Sequence, residues 1–542
     1  MLERRQLLGW LAAPALAGPG ALVGPIGAAR AAAQSRPWQD QGEAAASNSA
    51  ALNADPARWL RHAGAADYRV TSFQQWEGLA PGSYTLWARS RSAGGQASCF
   101  AFARVAGHSL ARTSLSWQPG EHSLCLPGIP VGEDGRLMLG LHSEAQAGQW
   151  AELGEIRLQR ETRHRPLLAG GDVSVLHWME RQGARYSDRR GRPGDALKIL
   201  REHGHSIVRL RLYESPGKGH GVDGWYWPAG CMDLADQLAL ARRAQALGQQ
   251  IQLTLHYSDF WTNGKTQALP KTWADQLAAL PDEAARMDRL EALVARRTRE
   301  VLAAFQAQGT PPQFVSLGNE IEAGLLFPYG RADAQGWPRL ARLLRAGQAA
   351  VREVAPQAKV VLHLDDGGNL DKYRWWFDQA RALGVDWDVI GCSYYPFWTR
   401  KTVAELAQFC TDVSARYDRD VLVMEAGFNF APRRPGGWPG QLADNGPYPE
   451  SMSSPLGQRQ FVDELLHALK QQPRVLGLLY WDPIMIETPG TGWALRESDD
   501  QPGDNVVSNT TLFDFQGRAL PALDAWRDHV PAMPLPSSPA KT

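Results

Sequence analysis

Downstream of Arg165 the chain repeats one rhythm eight times: a short apolar run dense in Val, Ile and Leu, then a longer stretch of helical period. The candidate strands are Leu167 to Val175, Ser206 to Tyr213, Gln250 to Tyr257, Gln313 to Glu320, Lys359 to Asp366, Trp387 to Tyr395, Val421 to Gly427 and Val475 to Trp481. Between them, stretches such as Asp195 to His203, Asp233 to Ala246, Asp282 to Gln306, Pro338 to Val354, Lys372 to Leu383, Val403 to Tyr417 and Gly457 to Leu469 read as helices. Eight such units in about 365 residues predict an α/β fold, a closed (β/α)8 barrel with long loops. An open doubly wound sheet is the alternative. It fits less well, because polar or aromatic residues finish nearly every run, which a barrel's active face requires and an open sheet needs only at its switch point.

The preceding region follows a different period. Tyr68 to Phe73, Gly82 to Arg89, Ser98 to Arg104, Arg136 to Leu141 and Ala151 to Leu158 alternate with period two between turn signals such as Pro81-Gly82 and Pro119-Gly120. This predicts an all-β sandwich over 51–162, smaller than the barrel domain at 166–530 and a candidate carbohydrate-binding unit through Trp76, Trp87, Trp117 and Trp150. Residues 35–50, polar and alanine-rich, read as a linker, and 531–542 as a tail. Residues 1–34 read as an export signal: Arg4-Arg5 ahead of Leu7-Leu8 suggests twin-arginine transport, and the small residues up to Ala33 suggest cleavage. A secreted or periplasmic protein is expected, with no membrane association after cleavage, since no other segment approaches the ~20 apolar residues of a span.

Lysine plus arginine (57) equals aspartate plus glutamate (57), so no net field draws the chain to nucleic acid or anionic lipid. A neutral ligand is expected, and 21 Trp residues supply flat apolar faces of the kind that stack on sugars. Cys99, Cys125, Cys231, Cys392 and Cys410 form neither a disulfide framework nor a zinc set; Cys99 and Cys125 can pair after export or remain buried thiols.

The C-terminal ends of the eight runs carry Asp172, Arg209 and Arg211, His256, Asn319 with Glu320, His363 with Asp365, Tyr394 and Tyr395, Glu425, and Trp481. A barrel would bring these to one pocket. Cleaving a glycosidic bond takes one carboxylic acid to protonate the leaving oxygen and a second carboxylate to attack carbon or activate water, and Glu320 and Glu425 supply that pair. On the fourth and seventh strands they face each other, and about 5 to 5.5 Å between them would mean retention of configuration. Alternation is expected to turn only one of Arg209 and Arg211 inward, to orient Glu425. His256 and Asp259 are expected to touch sugar or orient neighbours; Asp365, Tyr394 and Trp481 lie where a sugar ring would sit; Trp261, Trp398 and Trp493 would form outlying subsites.

Gly171-Asp172-Val173-Ser174, His256-Tyr257-Ser258-Asp259-Phe260-Trp261, Gly318-Asn319-Glu320, His363-Leu364-Asp365-Asp366-Gly367-Gly368, Ser393-Tyr394-Tyr395-Pro396-Phe397-Trp398, Glu425 and Leu512-Phe513-Asp514-Phe515 together resemble glycoside hydrolase family 53, the arabinogalactan endo-β-1,4-galactanases of clan A, over about residues 166–528. The resemblance implies that Glu320 is the acid/base and Glu425 the nucleophile of a retaining double displacement, with Asn319 on the hydroxyl beside the anomeric carbon. It implies β-1,4-galactan as the partner, and a monomer is expected. Alternatives are another clan A β-glycanase, such as a mannanase or xylanase, or a non-catalytic polysaccharide-binding protein. No cofactor is required. A structural calcium is an option between the loops after the seventh and eighth strands, where Asp444, Asn445, Asp499, Asp500, Asp504 and Asn505 offer oxygens without the family's ligand spacing.

Overall fold

The computed structural model of the chain describes residues 33–56, 58–108 and 110–530. The proposed export signal and the tail lie outside these residues, apart from the signal's last two positions.

The N-terminal part forms two antiparallel sheets. Strands β1 (Gln34–Ser35), β2 (Gln39–Gly42), β4 (Tyr68–Glu77), β6 (Ser98–Arg104), β7 (Ala111–Ser114) and β9 (Leu137–Ala145) make one, and β3 (Leu60–Ala63), β5 (Gly82–Ser92), β8 (His122–Val131) and β10 (Trp150–Arg160) the other, in the order β3-β10-β5-β8. Between them lies a core that includes Leu86, Leu124, Leu139, Leu141 and Leu153. The segment 35–50 is not a linker: Gln39 to Gly42 pair with Val70 to Phe73 on β4, and Trp38 is buried beside Leu52. Its polar side chains face solvent from an edge strand, where composition resembles a loop. All five cysteines are buried and free, so Cys99 and Cys125 do not pair.

The eight apolar runs become the parallel strands β11 (Leu168–Asp172), β12 (Ile207–Leu212), β13 (Gln250–Leu255), β14 (Phe314–Leu317), β15 (Lys359–Leu364), β16 (Val389–Tyr394), β17 (Asp420–Ala426) and β18 (Val475–Tyr480), closed into a barrel by the pairing of β11 with β18. Outside them run α1 (Ala196–Glu202), α2 (Leu234–Ala246), α3 (Glu283–Ala307), α4 (Trp337–Val354), α5 (Leu370–Ala382), α6 (Val403–Tyr417), α7 (Pro455–Lys470) and α8 (Ala522–His529). The first three begin where Asp195, Asp233 and Asp282 accept hydrogen bonds from backbone N–H groups three residues on, and α6 begins with a Thr402/Glu405 capping box. Each such cap is worth about 1 kcal/mol and fixes where a βα loop ends.

The sandwich docks its β7–β8 side on α7 and α8. Arg459 lies 4.1 Å from the ring of Trp117, Arg112 Nε donates to the Arg527 carbonyl at 2.8 Å, and Gln118 donates to Glu464 at 3.2 Å. Among the described residues no helix is long and apolar enough to cross a membrane.

Candidate active site

The barrel interior is built in two tiers. Ile207, Phe314, Val361, Val389, Leu422, Met424 and Leu479 fill the lower end as one apolar cluster. One turn of the pleat higher, the same faces present Arg209, Ser316, His363, Gly391 and Trp481, so a polar floor sits on an apolar plug. Glu425 departs from this alternation. Leu422 and Met424 both belong to the interior cluster, so period two would send Glu425 into the helix layer. The β16–β17 register slips there: Cys392 pairs with Val423 but Ser393 pairs with Glu425, leaving Met424 as an extra residue. This bulge re-aims the carboxylate into the barrel mouth.

Glu320 is also placed by irregular backbone. Strand β14 stops at Leu317; Gly318 takes φ +88° and Glu320 φ +48°, a region few side-chain-bearing residues adopt. The buried Gln267 side chain holds the turn, its Nε2 donating to the Asn319 carbonyl at 2.9 Å and the Glu320 carbonyl at 3.2 Å. Ser393 Oγ donates to Glu320 Oε1 at 2.7 Å, and His363 Nε2 lies 2.9 Å behind that hydroxyl. Ligand atoms of Glu320, His363 and Glu425 all lie within 4.8 Å of one another. Burial, then the facing charge of Glu425, then that of Glu322, hold the Glu320 carboxyl protonated well above the ordinary carboxylate range, while the Ser393 hydrogen bond works the other way. Glu322, which sequence reading missed, is itself pushed up to about 8 by burial and by Asp365.

Arg209 and Arg211 are both fully buried inside the barrel. The expectation that only one faces inward fails because residues two apart on a strand share a face; it is Leu210 that points out. Arg209 Nη1 donates to Glu425 Oε1 and Nη2 to Asn319 Oδ1, each at 2.6 Å. Arg211 Nη2 donates to Asp482 Oδ1 at 2.6 Å and its Nε lies 3.1 Å from Asp172 Oδ2. Two buried guanidiniums would cost several kcal/mol each without partners, so Asp172, Asp482 and Glu425 are what make the tier tenable. Glu425 Oε2 accepts from the Tyr395 hydroxyl at 2.9 Å. A hydrogen bond to a charged group contributes about 1.5–3 kcal/mol, so Tyr395→Phe is expected to lower kcat/KM by roughly 10- to 100-fold with the fold intact. Steady-state kinetics beside a thermal melt checks this; a kcat/KM within twofold of the parent would show that Arg209 alone suffices.

Above the pair opens a cleft of about 400 Å³ lined by Asn319, Glu320, Tyr395, Glu425 and Asp482 together with Trp225, Trp261, Trp398, Trp481 and Trp493. Trp481 lies over both arginines, 5.3 Å from Arg209 and 4.5 Å from Arg211, which fixes its ring in the floor. Trp398 is half exposed at one rim, against Tyr395 at 4.7 Å, and Trp493 lies tilted against Trp225 at 4.7 Å. Tyr394, His256, Asp259 and Asp365 do not line this cleft, His256 and Asp259 taking the other expected part, that of orienting neighbours. Tyr394 points outward, donating to the Lys401 carbonyl at 2.9 Å and packing on Phe461, so the pocket tyrosine is its neighbour Tyr395. His256 is buried beneath the cleft, stacked 4.3 Å from Tyr213 and bonded to Thr262 Oγ1 at 2.7 Å, and burial first, then Arg209, keep it neutral. Asp259 accepts from the backbone N–H groups of Ser215 and Lys271, tying two loops together. Asp365 is paired with Lys372 at 2.7 Å.

The loop residues considered for calcium do not form a cradle. Asp444 is paired with Arg400, Asp499 with Arg496, Asp500 with Lys218 and Asp504 with Arg434. Asn445 Oδ1 accepts from Asn429 Nδ2 at 3.3 Å, and Asn505 Oδ1, buried and without a hydrogen-bond partner, is the one open oxygen of the set. Carboxylates each held by their own cation, none of them in a converging group of three among the described residues, do not fit an ion that needs six to eight converging oxygens.

Residues 168–526 match the family model described as Glycosyl hydrolase family 53. The endo-beta-1,4-galactanase of Bacillus subtilis (strain 168) is 28% identical over 406 residues, 68% of this chain and 89% of that protein. The arabinogalactan endo-beta-1,4-galactanase of Thermothelomyces thermophilus is 27% identical over 366 residues, 66% of this chain and 98% of the relative. Among solved structures, the Ignisphaera aggregans GH53 catalytic domain superposes with a TM-score of 0.59 at 31% identity, covering 68% of this chain and 99% of that one.

Proposed function

We infer that this chain, which belongs to glycosyl hydrolase family 53 and is a glycoside hydrolase, is an endo-acting galactanase that cuts β-1,4-galactan by double displacement. The observation that carries the mechanism is the spacing of the two carboxyls, one oxygen of each lying within 4.8 Å of the other. That matches the about 5–5.5 Å of retaining enzymes and leaves no room for the water that an inverting pair holds at about 6.5–9.5 Å.

In the first step the protonated Glu320 gives its proton to the glycosidic oxygen while Glu425 attacks the anomeric carbon from the opposite face, forming an ester and releasing the reducing-side fragment. Loss of the Glu425 charge removes one cause of Glu320's raised affinity for protons. The now ionised Glu320 takes a proton from water, which attacks the same carbon, expels Glu425 and restores the β configuration. Asn319, with one amide N–H on the Thr262 carbonyl and its oxygen on Arg209, has one N–H left for the hydroxyl beside the reacting carbon.

The named activities of the two relatives support galactan over mannan or xylan. Initial rates on purified linear β-1,4-galactan, mannan and xylan test the substrate, and equal molar activity on all three would remove it. Proton NMR of the first product tests the mechanism: β-anomer is expected, and initial α-anomer would overturn retention.

The sandwich is read as packing against the barrel rather than as a carbohydrate-binding unit, with its tryptophans covered. Trp117 is covered by Arg459, Trp87 by His164 at 5.0 Å and Trp150 by Arg61 at 5.1 Å, while Trp76 packs on the core, so a packing role against the barrel is the better supported one. Export with loss of the first ~34 residues completes the reading, and N-terminal sequencing of secreted protein checks it.

A further inference from the structure

Away from the cleft, where α7 and α8 pass beneath the sandwich, three ligand-type side chains converge. Asp463 and His467 are four apart on α7 and share a face; His529 ends α8, which packs on α7. Their carboxylate and imidazole ligand atoms lie within 4.8 Å of one another, and all three residues are buried. Asp463 Oδ1 is 2.9 Å from His529 Nε2, and the His467 ring stands edge-on to His529 with centroids 4.6 Å apart. His467, only 7% exposed, has a buried Nε2 with no hydrogen-bond partner. A buried imidazole nitrogen left unmatched is costly, and one ring nitrogen of the same histidine is an arm of the cluster.

We propose that Asp463, His467 and His529 form a structural site for a zinc-class divalent cation, with water in the fourth position. The donor set is the two-imidazole, one-carboxylate kind that zinc accepts; the 2.9 Å Asp463–His529 spacing has to open, and the spacings to His467 to settle, to the about 3.3 Å that 2.0–2.1 Å bonds impose. The cation would bind His529 Nε2 in place of its hydrogen bond to Asp463, with the ring proton of the neutral imidazole on Nδ1 facing Thr113 Oγ1, and would engage a ring nitrogen of His467. Burial keeps both histidines neutral, the state that ligates: it lowers His467 to about 3 and His529 well below its ordinary value. His529 Nδ1 lies 3.3 Å from Thr113 Oγ1 on β7, so the far side of one ligand is oriented by the sandwich itself. Lys470 and Arg459 oppose the ion's charge, and Asp528 offsets them. The bound ion would fasten α7 to α8 at the seam between the domains.

The test uses the full chain, stripped with EDTA and then titrated with Zn²⁺. Expected are one zinc per chain retained through gel filtration, a raised melting temperature, and unchanged hydrolysis of galactan. His467→Ala, which removes no hydrogen bond at Nε2, and the near-isosteric Asp463→Asn are each expected to weaken zinc affinity by at least about 10- to 100-fold while activity persists. No retained zinc in the parent, or parent-like affinity in both variants, overturns the site. So does zinc that inhibits hydrolysis and survives His467→Ala, because it would then sit on Glu320, His363 and Glu425.

Discussion

Replacing Glu425 by Gln is expected to abolish turnover of galactan, lowering kcat by about 10⁴- to 10⁶-fold, the range seen when a covalent nucleophile is removed, while KM changes little. The isosteric change is the informative one. Glu425 is bound on both oxygens, by Arg209 Nη1 at 2.6 Å and by the Tyr395 hydroxyl at 2.9 Å. An amide oxygen keeps the Arg209 contact and therefore avoids leaving a buried guanidinium unmatched, a defect that costs about 3–5 kcal/mol when one partner of a buried pair is deleted. Loss of rate in Glu425→Gln thus reports chemistry, with thermal melts expected to stay near those of the parent. Glu425→Ala opens the space of a carboxylate directly below the sugar's reacting carbon. Added azide is expected to fill it and yield the α-glycosyl azide, one inversion in place of two. Rate measurements, affinity for galactan by calorimetry and NMR of the azide product together decide the matter. Activity above about 1% of the parent in Glu425→Gln would mean that a different group attacks, since removing a real nucleophile leaves far less.

The difference between what was legible in the sequence and what was not follows a physical line. Buried parallel strands are nearly continuous apolar runs, and aspartates that cap helices stand where the period changes, so all eight strands and the residues ending them could be read directly. Side-chain direction at the strand ends was harder. Arg209 and Arg211 share a face by simple alternation, whereas Glu425 points inward only because Met424 is a bulge residue, and nothing in Val421 to Gly427 marks that slip. Tyr394 and Tyr395 are chemically identical in the sequence; the choice belongs to the pleat, with Ser393 and Tyr395 on the pocket side. In the sandwich, β8 escaped notice because Pro127, Gly128 and Pro130 argue against a strand. It tolerates them as the edge of its sheet, where a missing N–H removes no ladder bond on the open side, and its pairing with β5 is irregular at that point. Glu322 and Gln267, which tune and hold Glu320, lie on loops whose closeness to the acid depends on the barrel's closure.

Glu320→Gln is expected to cost about 10²- to 10⁴-fold in kcat/KM on galactan, the share a general acid contributes, and much less on an aryl β-galactoside whose leaving group needs no proton. With such a substrate the second step becomes limiting, since no base remains to activate water, and azide, which needs none, should speed turnover. The parent's pH profile carries the second half of the argument. Glu320 must be protonated to act, so kcat/KM falls as pH rises through its raised pKa, and anything that lowers that pKa moves the alkaline limb down. Ser393 Oγ donates to Glu320 at 2.7 Å and favours the ionised form; Ser393→Ala should therefore raise the pKa and shift the limb to higher pH. Glu322, where it is itself ionised above about 8, acts in the other direction by charge, so Glu322→Gln should shift the upper part of the limb to lower pH. Two substitutions, one on strand β16 deleting a hydrogen bond and one on the loop after β14 deleting a charge, thus have opposite signs on one titration. Profiles of kcat/KM for the three proteins would discriminate: displacement of both variants in the same direction, or of neither, would show that the limb belongs to a group other than Glu320.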